Sequence, residues 1–139
     1  MNWKLVLQLS SFGFAMGLAT ISLIPSNIEP LFWLAVFLLC AYAIAARAPG
    51  GYFLHGLALG VVNAVWVTGF HVLFARQYIA NHPQEVAMMA SMPLPTHPRI
   101  MMGIIGPIVG VVSGAVIGVL AVIASKIVSG RPAAAIPRQ

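Results

Sequence analysis

Acidic residues are nearly absent from this sequence. Only two of its 139 residues are carboxylates, Glu29 and Glu85, and charged residues make up 6% of the chain. A soluble domain carries roughly 25% charged residues, so too little charge is present to cover a surface that faces water. Hydrophobic residues supply 60% of the chain, and the mean hydropathy is +0.97. The composition therefore predicts an integral membrane protein.

The shortage of carboxylates also limits the chemistry that the chain can perform. Glu29 and Glu85 are both predicted to lie in loops, which leaves no buried carboxylate in a span for coupling to protons or cations. This argues against a small multidrug antiporter of the usual proton-coupled kind. The seven basic residues are scattered singly, which argues against a nucleic-acid partner. The single cysteine, Cys40, excludes a disulfide within the chain.

Catalytic motifs are missing as well. The sequence contains no glycine-rich phosphate loop, no His-Glu-x-x-His and no paired cysteines. Ser113 has neither a base nor an orienting group on its own helix, so it does not form a nucleophilic site by itself. We therefore predict that the protein is not an enzyme and has no obligatory cofactor.

Four apolar runs are candidates to cross a bilayer, which requires about 20 helical residues. They are predicted at 5–24, 31–46, 52–74 and 100–127. The third loop is the one sizeable connection, and His82-Pro83-Gln84-Glu85 predicts the start of a short helix there, with proline at its first position. The predicted fold is all-α: an integral membrane four-helix bundle over 1–128, with short loops, one short interfacial helix in the third loop and a cytoplasmic basic tail at 129–139.

The lysines and arginines predict the orientation of the bundle. With four spans, five of these residues fall on one side (Lys4, Arg47, Lys126, Arg131 and Arg138) and two on the other (Arg76 and Arg99). Because basic residues are enriched in cytoplasmic segments, both termini are predicted in the cytoplasm. We expect a multi-pass protein of a bacterial inner membrane whose third loop faces outward.

Glycine recurs at four-residue spacing in three of the predicted spans. The helix-packing candidates are Gly13, Gly17, Gly56, Gly60, Gly106, Gly110, Gly114 and Gly118. Residues four apart share one helix face, so these glycines form grooves that another helix can approach closely. We expect the third and fourth spans to be in contact. The pattern favours a structural or interaction protein, either a homo-oligomer or a subunit of a membrane complex, with membrane lipid as its other partner.

A channel or transporter for ions or small solutes is the first alternative. Its candidate intramembrane polar residues are Asn63, Thr68, His71 and Ser113. Because four helices enclose little space, we expect such a pathway to need a dimer.

A soft-metal site is the second alternative. Its candidate ligands are His71, His82, His97, Met88, Met89 and Met92, all predicted near the outer face. Imidazole and thioether ligands suit copper(I), although methionine is also an ordinary apolar residue for irregular surfaces. His55 and His71 are about 24 Å apart along one helix and cannot share a haem. The other three predicted spans contain no histidine to face either of them, so a haem would have to be ligated across a dimer interface.

Overall fold

The computed structural model describes residues 1–129, and every element in this part of the chain is an α-helix. The six helices are α1 (Trp3–Ser22), α2 (Glu29–Arg47), α3 (Tyr52–Leu73), α4 (Ala75–Asn81), α5 (Pro83–Ala90) and α6 (Pro98–Ser129). Helices α1, α2, α3 and α6 are long and apolar enough to cross a membrane. This confirms the all-α class and the four long apolar helices. The predicted basic tail lies outside the described residues, apart from Ser129 at the end of α6.

The third loop contains two short helices, whereas the sequence predicted one. Helix α5 occupies the predicted position, and α4 is the additional one. Helix α4 buries Ala75 and Tyr78 against Met102 of α6. These contacts explain the extra helix, because a seven-residue segment is stabilised mainly by burial of its apolar side.

Helix α2 begins at Glu29, two residues before the predicted start of the second span. Pro30 fits the first helical turn, where a backbone N–H is not needed. A carboxylate at this end is stabilised by the positive end of the helix dipole. The prediction that Glu29 lies in a loop, outside every span, is therefore wrong.

Helix α3 is the central element of the bundle. The most extensive helix contact is between α3 and α6, followed by the contacts of α1 with α3 and of α2 with α6, whereas α1 and α2 meet only slightly. The four long helices therefore follow the order α1, α3, α6, α2 around the bundle.

The eight predicted packing glycines all lie against another helix of the same chain. A β-carbon added at seven of them would collide with these neighbours: Gly13 with Asn63, Gly56 with Gly118, Gly60 with Gly114, Gly106 with Thr68, Gly110 with Ala64, Gly114 with Leu57 and Gly118 with Phe53. At Gly17 it would make a tight contact, 3.1 Å from the α-carbon of Val67. The pairing shows that α3 and α6 run antiparallel with their backbones in close approach.

The buried core occupies the end of the bundle that holds the amino terminus. Its most buried members are Val6, Cys40, Ile44, Leu59, Ile117 and Ala121. His55 links the first residues to α3, because its Nε2 accepts a hydrogen bond from the backbone N–H of Asn2 at 2.8 Å. The end that holds the third loop is organised differently, around a cavity.

Candidate functional site

A cavity of about 860 Å³ lies between α2, α3 and α6 and extends beneath α4 and α5. Along α6 its lining runs from Met102 to Val116, a length of about 21 Å at the helical rise. Its walls are mostly apolar, with Phe37, Val67 and Val109 among them. The volume lies within the range that proteins use for small-molecule sites.

One side of the cavity is open. Leu34 on α2 lines it and is 52% exposed, and Ile108 and Val112 on α6 line it and are each 59% exposed. A wall that is both apolar and exposed faces hydrocarbon when the helices cross a membrane. A molecule dissolved in the bilayer could therefore enter from the side, between α2 and α6.

The other end of the cavity is polar and acidic. Glu29 and Glu85, the only glutamates of the sequence, which has no aspartate, both line it although they belong to different helices, α2 and α5. The indole Nε1 of Trp33 donates a hydrogen bond to Glu29 Oε1 at 3.0 Å, and the hydroxyl of Ser26 donates one to Glu85 Oε2 at 3.0 Å. Each carboxylate lies in the first turn of its helix, where the helix dipole favours negative charge.

Three aromatic rings stack beside this acidic end. Tyr78 lies between His71 and His82, with centroid distances of 4.1 Å to each ring. His71 Nε2 is 2.8 Å from the hydroxyl oxygen of Thr20 on α1, which attaches the stack to a third helix. The stack therefore connects α1, α3 and α4 at the acidic end of the cavity.

His82 is completely buried and lies next to Glu29. Its Nδ1 donates a hydrogen bond to the backbone carbonyl of Tyr78 at 2.9 Å, since a carbonyl oxygen can only accept. Its Nε2 lies 3.7 Å from Glu29 Oε2 and has no hydrogen-bond partner within residues 1–129. A proton on Nε2 would turn this contact into an ion pair.

The phenol of Tyr78 stays protonated at this position. Burial raises the pKa of Tyr78 above its usual value, and the nearby carboxylates of Glu29 and Glu85 raise it further. A raised pKa keeps the phenol neutral at physiological pH. Tyr78 therefore adds no charge to the cavity lining, and His71 and His82 cover the two faces of its ring.

Asn63 is the unsatisfied polar group of the cavity wall. The residue is 5% exposed, and its side chain packs against Gly13 of α1. Neither its amide nitrogen nor its oxygen has a hydrogen-bond partner in the described part of the chain. An unpaired buried polar group costs about 1 to 3 kcal/mol. Because the amide lies against α1 and not in the cavity, this cost belongs to the packing of α1 on α3.

The candidate intramembrane polar residues lie together. The structure places Asn63, Thr68, His71 and Ser113 on the lining of this one cavity, within a single chain.

The metal candidates are only partly brought together. Met88, Met89 and Met92 line the cavity together with His71, and His82 is buried beside it. His97 lines a separate surface pocket with Arg76 and Arg99, and its Nδ1 is 2.9 Å from the hydroxyl oxygen of Thr96. Within residues 1–129 no group of three or more histidine, cysteine or acidic side chains is placed to hold a metal ion. His55, the other haem candidate, lies at the opposite end of α3 from His71.

Sequence reasoning missed the acidic end of the cavity. It assigned no role to Glu29 or Glu85 because each occurs alone in its own connection. Two features of the sequence could have indicated it. The first and third connections of a four-span protein lie on the same side of the membrane, and each glutamate lies beside the start of a helix.

No protein-family model matches the chain, and neither a curated protein nor a solved structure matches it. The interpretation of the cavity therefore depends on its own geometry.

Proposed function

We propose that this protein is a multi-pass protein of a bacterial inner membrane, with both termini in the cytoplasm, and that it binds a small membrane-soluble molecule in the cavity between α2, α3 and α6. The observation that carries the proposal is the cavity itself, which is apolar, large and open on its lipid-facing side. Ligand sites in helical bundles commonly lie between helices and combine apolar walls with a few polar groups.

The glycine contacts support this function indirectly. They hold α3 against both α1 and α6 through backbone proximity. This rigid group of three helices keeps one wall of the cavity fixed. The packing role predicted for the glycines is thus proposed to operate within the chain, and an oligomer would use other surfaces.

Transport from the bilayer to the outer face is the second candidate function. The specific observation is that the cavity combines the sideways opening with a polar end beneath Met88, which is 58% exposed. The lining ends at Ser113 and Val116, beyond which Ile44, Leu59 and Ile117 fill the interior. A molecule would therefore move between the bilayer and the outer face, and we propose no open channel through the protein.

Filling the cavity tests the binding proposal. Val109 lines the cavity, whereas Val111 lies on the same helix, is 50% exposed and does not line it. We expect Val109→Trp to displace the bound molecule, because the indole occupies the space between α2 and α6. The matched control Val111→Trp adds the same side chain toward lipid. The measurement is native mass spectrometry of the protein purified in mild detergent.

The unmodified protein and Val111→Trp should carry a small-molecule adduct, and Val109→Trp should lose it. Equal adduct occupancy in all three proteins would refute the cavity as the binding site. The same spectra report the number of chains, so they also test whether the protein assembles into a homo-oligomer.

A further inference from the structure

The acidic end of the cavity indicates which molecules it accepts. We propose, building on the binding function above, that the ligand is an organic cation: an ammonium group on an apolar body.

Charge is the first argument. Glu29 and Glu85 line one end of the cavity, and their hydrogen-bond donors, Trp33 and Ser26, are neutral. Within residues 1–129 no lysine or arginine lines this cavity, and Arg76 and Arg99 lie at the separate surface pocket. Carboxylates beside an apolar cavity are costly unless a positive group pairs with them.

His82 does not supply that positive group for both carboxylates. It is buried on the Glu29 side, where its Nε2 lies 3.7 Å from Glu29 Oε2. Glu85 is held only by the neutral hydroxyl of Ser26 among the described residues. A cationic ligand would compensate the negative charge that remains at this end.

An aromatic ring is the second argument. Trp33 lines the same end of the cavity as the two glutamates. Ammonium groups bind to the faces of aromatic rings within about 6 Å of the ring centre, and tryptophan binds them best. Tyr78 does not contribute in this way, because His71 and His82 cover the two faces of its ring. Carboxylates together with an indole favour an alkylammonium group over a small inorganic cation, which has no apolar surface to place against the ring.

The apolar length of the cavity is the third argument. On α3 the lining extends from His71 to Asn63, two turns and about 12 Å away at the helical rise. The amide of Asn63 is buried against Gly13 of α1, so it offers the ligand no hydrogen bond. The apolar wall along this length, which includes Phe37 and Val67, would hold the apolar body of the ligand.

This chemistry has two sources in a cell. An amine-bearing lipid of the bilayer has an ammonium group on apolar chains. A free amphipathic amine also has an ammonium group and an apolar chain. Both would enter through the open side between α2 and α6.

Binding of dodecyltrimethylammonium tests the inference. The assay follows Trp33 fluorescence in a Trp3→Phe, Trp66→Phe background in dodecyl maltoside, so that Trp33 is the only tryptophan. Dodecanol, which has the same chain and no charge, is the reference probe. We expect Glu29→Gln and Glu85→Gln each to weaken binding of the cation about tenfold and to leave dodecanol binding unchanged. Glutamine keeps the shape and an oxygen acceptor at each position.

Gln77→Lys is the matched control. Like the two glutamate substitutions, it makes the net charge more positive by one. It does so on α4, where Gln77 is exposed and does not line the cavity. It should leave cation binding within about twofold. An equal loss of cation binding in Gln77→Lys and Glu85→Gln would mean that general surface charge attracts the probe, and it would overturn the inference.

The remaining outcomes separate the inference from the proposed function. If both probes bind equally and the glutamate variants have no effect, the cavity still binds apolar molecules and the cation inference is overturned. If neither probe binds, both ideas fail. Added phosphatidylethanolamine distinguishes the sources: competition with the probe supports a lipid ligand, and its absence supports a free amine.

Discussion

His55 ties the amino terminus of the chain to the central helix. Its Nδ1 donates to the carbonyl of Gly51 at 2.9 Å, and its Nε2 accepts from the backbone N–H of Asn2 at 2.8 Å. The ring is 2% exposed, whereas His97 is exposed. We expect His55→Ala to lower stability by about 1 to 3 kcal/mol, because buried polar groups lose their partners. His97→Ala is the control, and thermal unfolding in detergent is the measurement. Equal melting temperatures for the two variants would contradict this role.

Asn63 should show the opposite behaviour, since its buried amide has no partner in the described residues. Replacing it with leucine, which is close in shape, removes the cost of burying an unpaired polar group. We expect Asn63→Leu to leave the protein as stable as before or about 1 kcal/mol more stable. Thermal unfolding in detergent is the measurement. A clear loss of stability would show that the folded protein already satisfies this amide.

The contact between α3 and α6 depends on particular glycines and not on glycine in general. A β-carbon at Gly114 would lie 2.7 Å from the carbonyl oxygen of Leu57, whereas one at Gly103 of the same helix would meet nothing within 4 Å. We expect Gly114→Ala to destabilise the protein by about 1 to 3 kcal/mol through overpacking, and Gly103→Ala to be neutral. Gly60→Ala and Gly69→Ala form the same pair on α3. The four melting temperatures are compared in one detergent. If all four variants melt alike, backbone proximity does not hold these helices together.

The helices differ in how far the sequence could predict them. The four long helices followed from long apolar runs, and the α3–α6 contact followed from a four-residue spacing that assigns glycines to one face. Helix α4 has seven residues and too little periodicity to be recognised, so its existence depends on the burial of Ala75 and Tyr78. The acidic end of the cavity could not be predicted either, because it depends on how the third loop folds over the start of α2, which brings Glu85 to the same end as Glu29.

The bundle as a whole is packed at one end and hollow at the other. Ile44, Leu59 and Ile117 are fully buried near the end that holds the amino terminus, and the cavity occupies the end beneath the third loop. The packed end buries the apolar side chains that stabilise the bundle. The glycine contacts between α3 and α6 continue toward the hollow end as far as Gly106 and Thr68. The hollow end is therefore bounded by a rigid wall on the α3 and α6 side, and α2, which has few contacts with α1 and α3, forms the other wall.

The orientation of this asymmetric molecule decides which side of the membrane the acidic end of the cavity faces. Lys4, Arg47 and Lys126 lie at the packed end and Arg76 and Arg99 at the hollow end. From the positive-inside rule we expect the hollow end to face outward. Cys40, the only cysteine, is fully buried and should not react with a membrane-impermeant maleimide. Exposed positions at the two ends, Gln84 and Pro49, can therefore be replaced singly with cysteine and labelled without background.

We expect Gln84→Cys to be labelled on intact bacterial spheroplasts and Pro49→Cys only after the membrane is permeabilised. The unmodified protein should stay unlabelled in both cases, since Cys40 lies in the packed core. The reverse labelling pattern would place both termini outside and turn the acidic end of the cavity toward the cytoplasm. Its ligand would then have to reach the polar end from the cytoplasmic leaflet, so this experiment also decides which leaflet supplies the molecule that enters between α2 and α6.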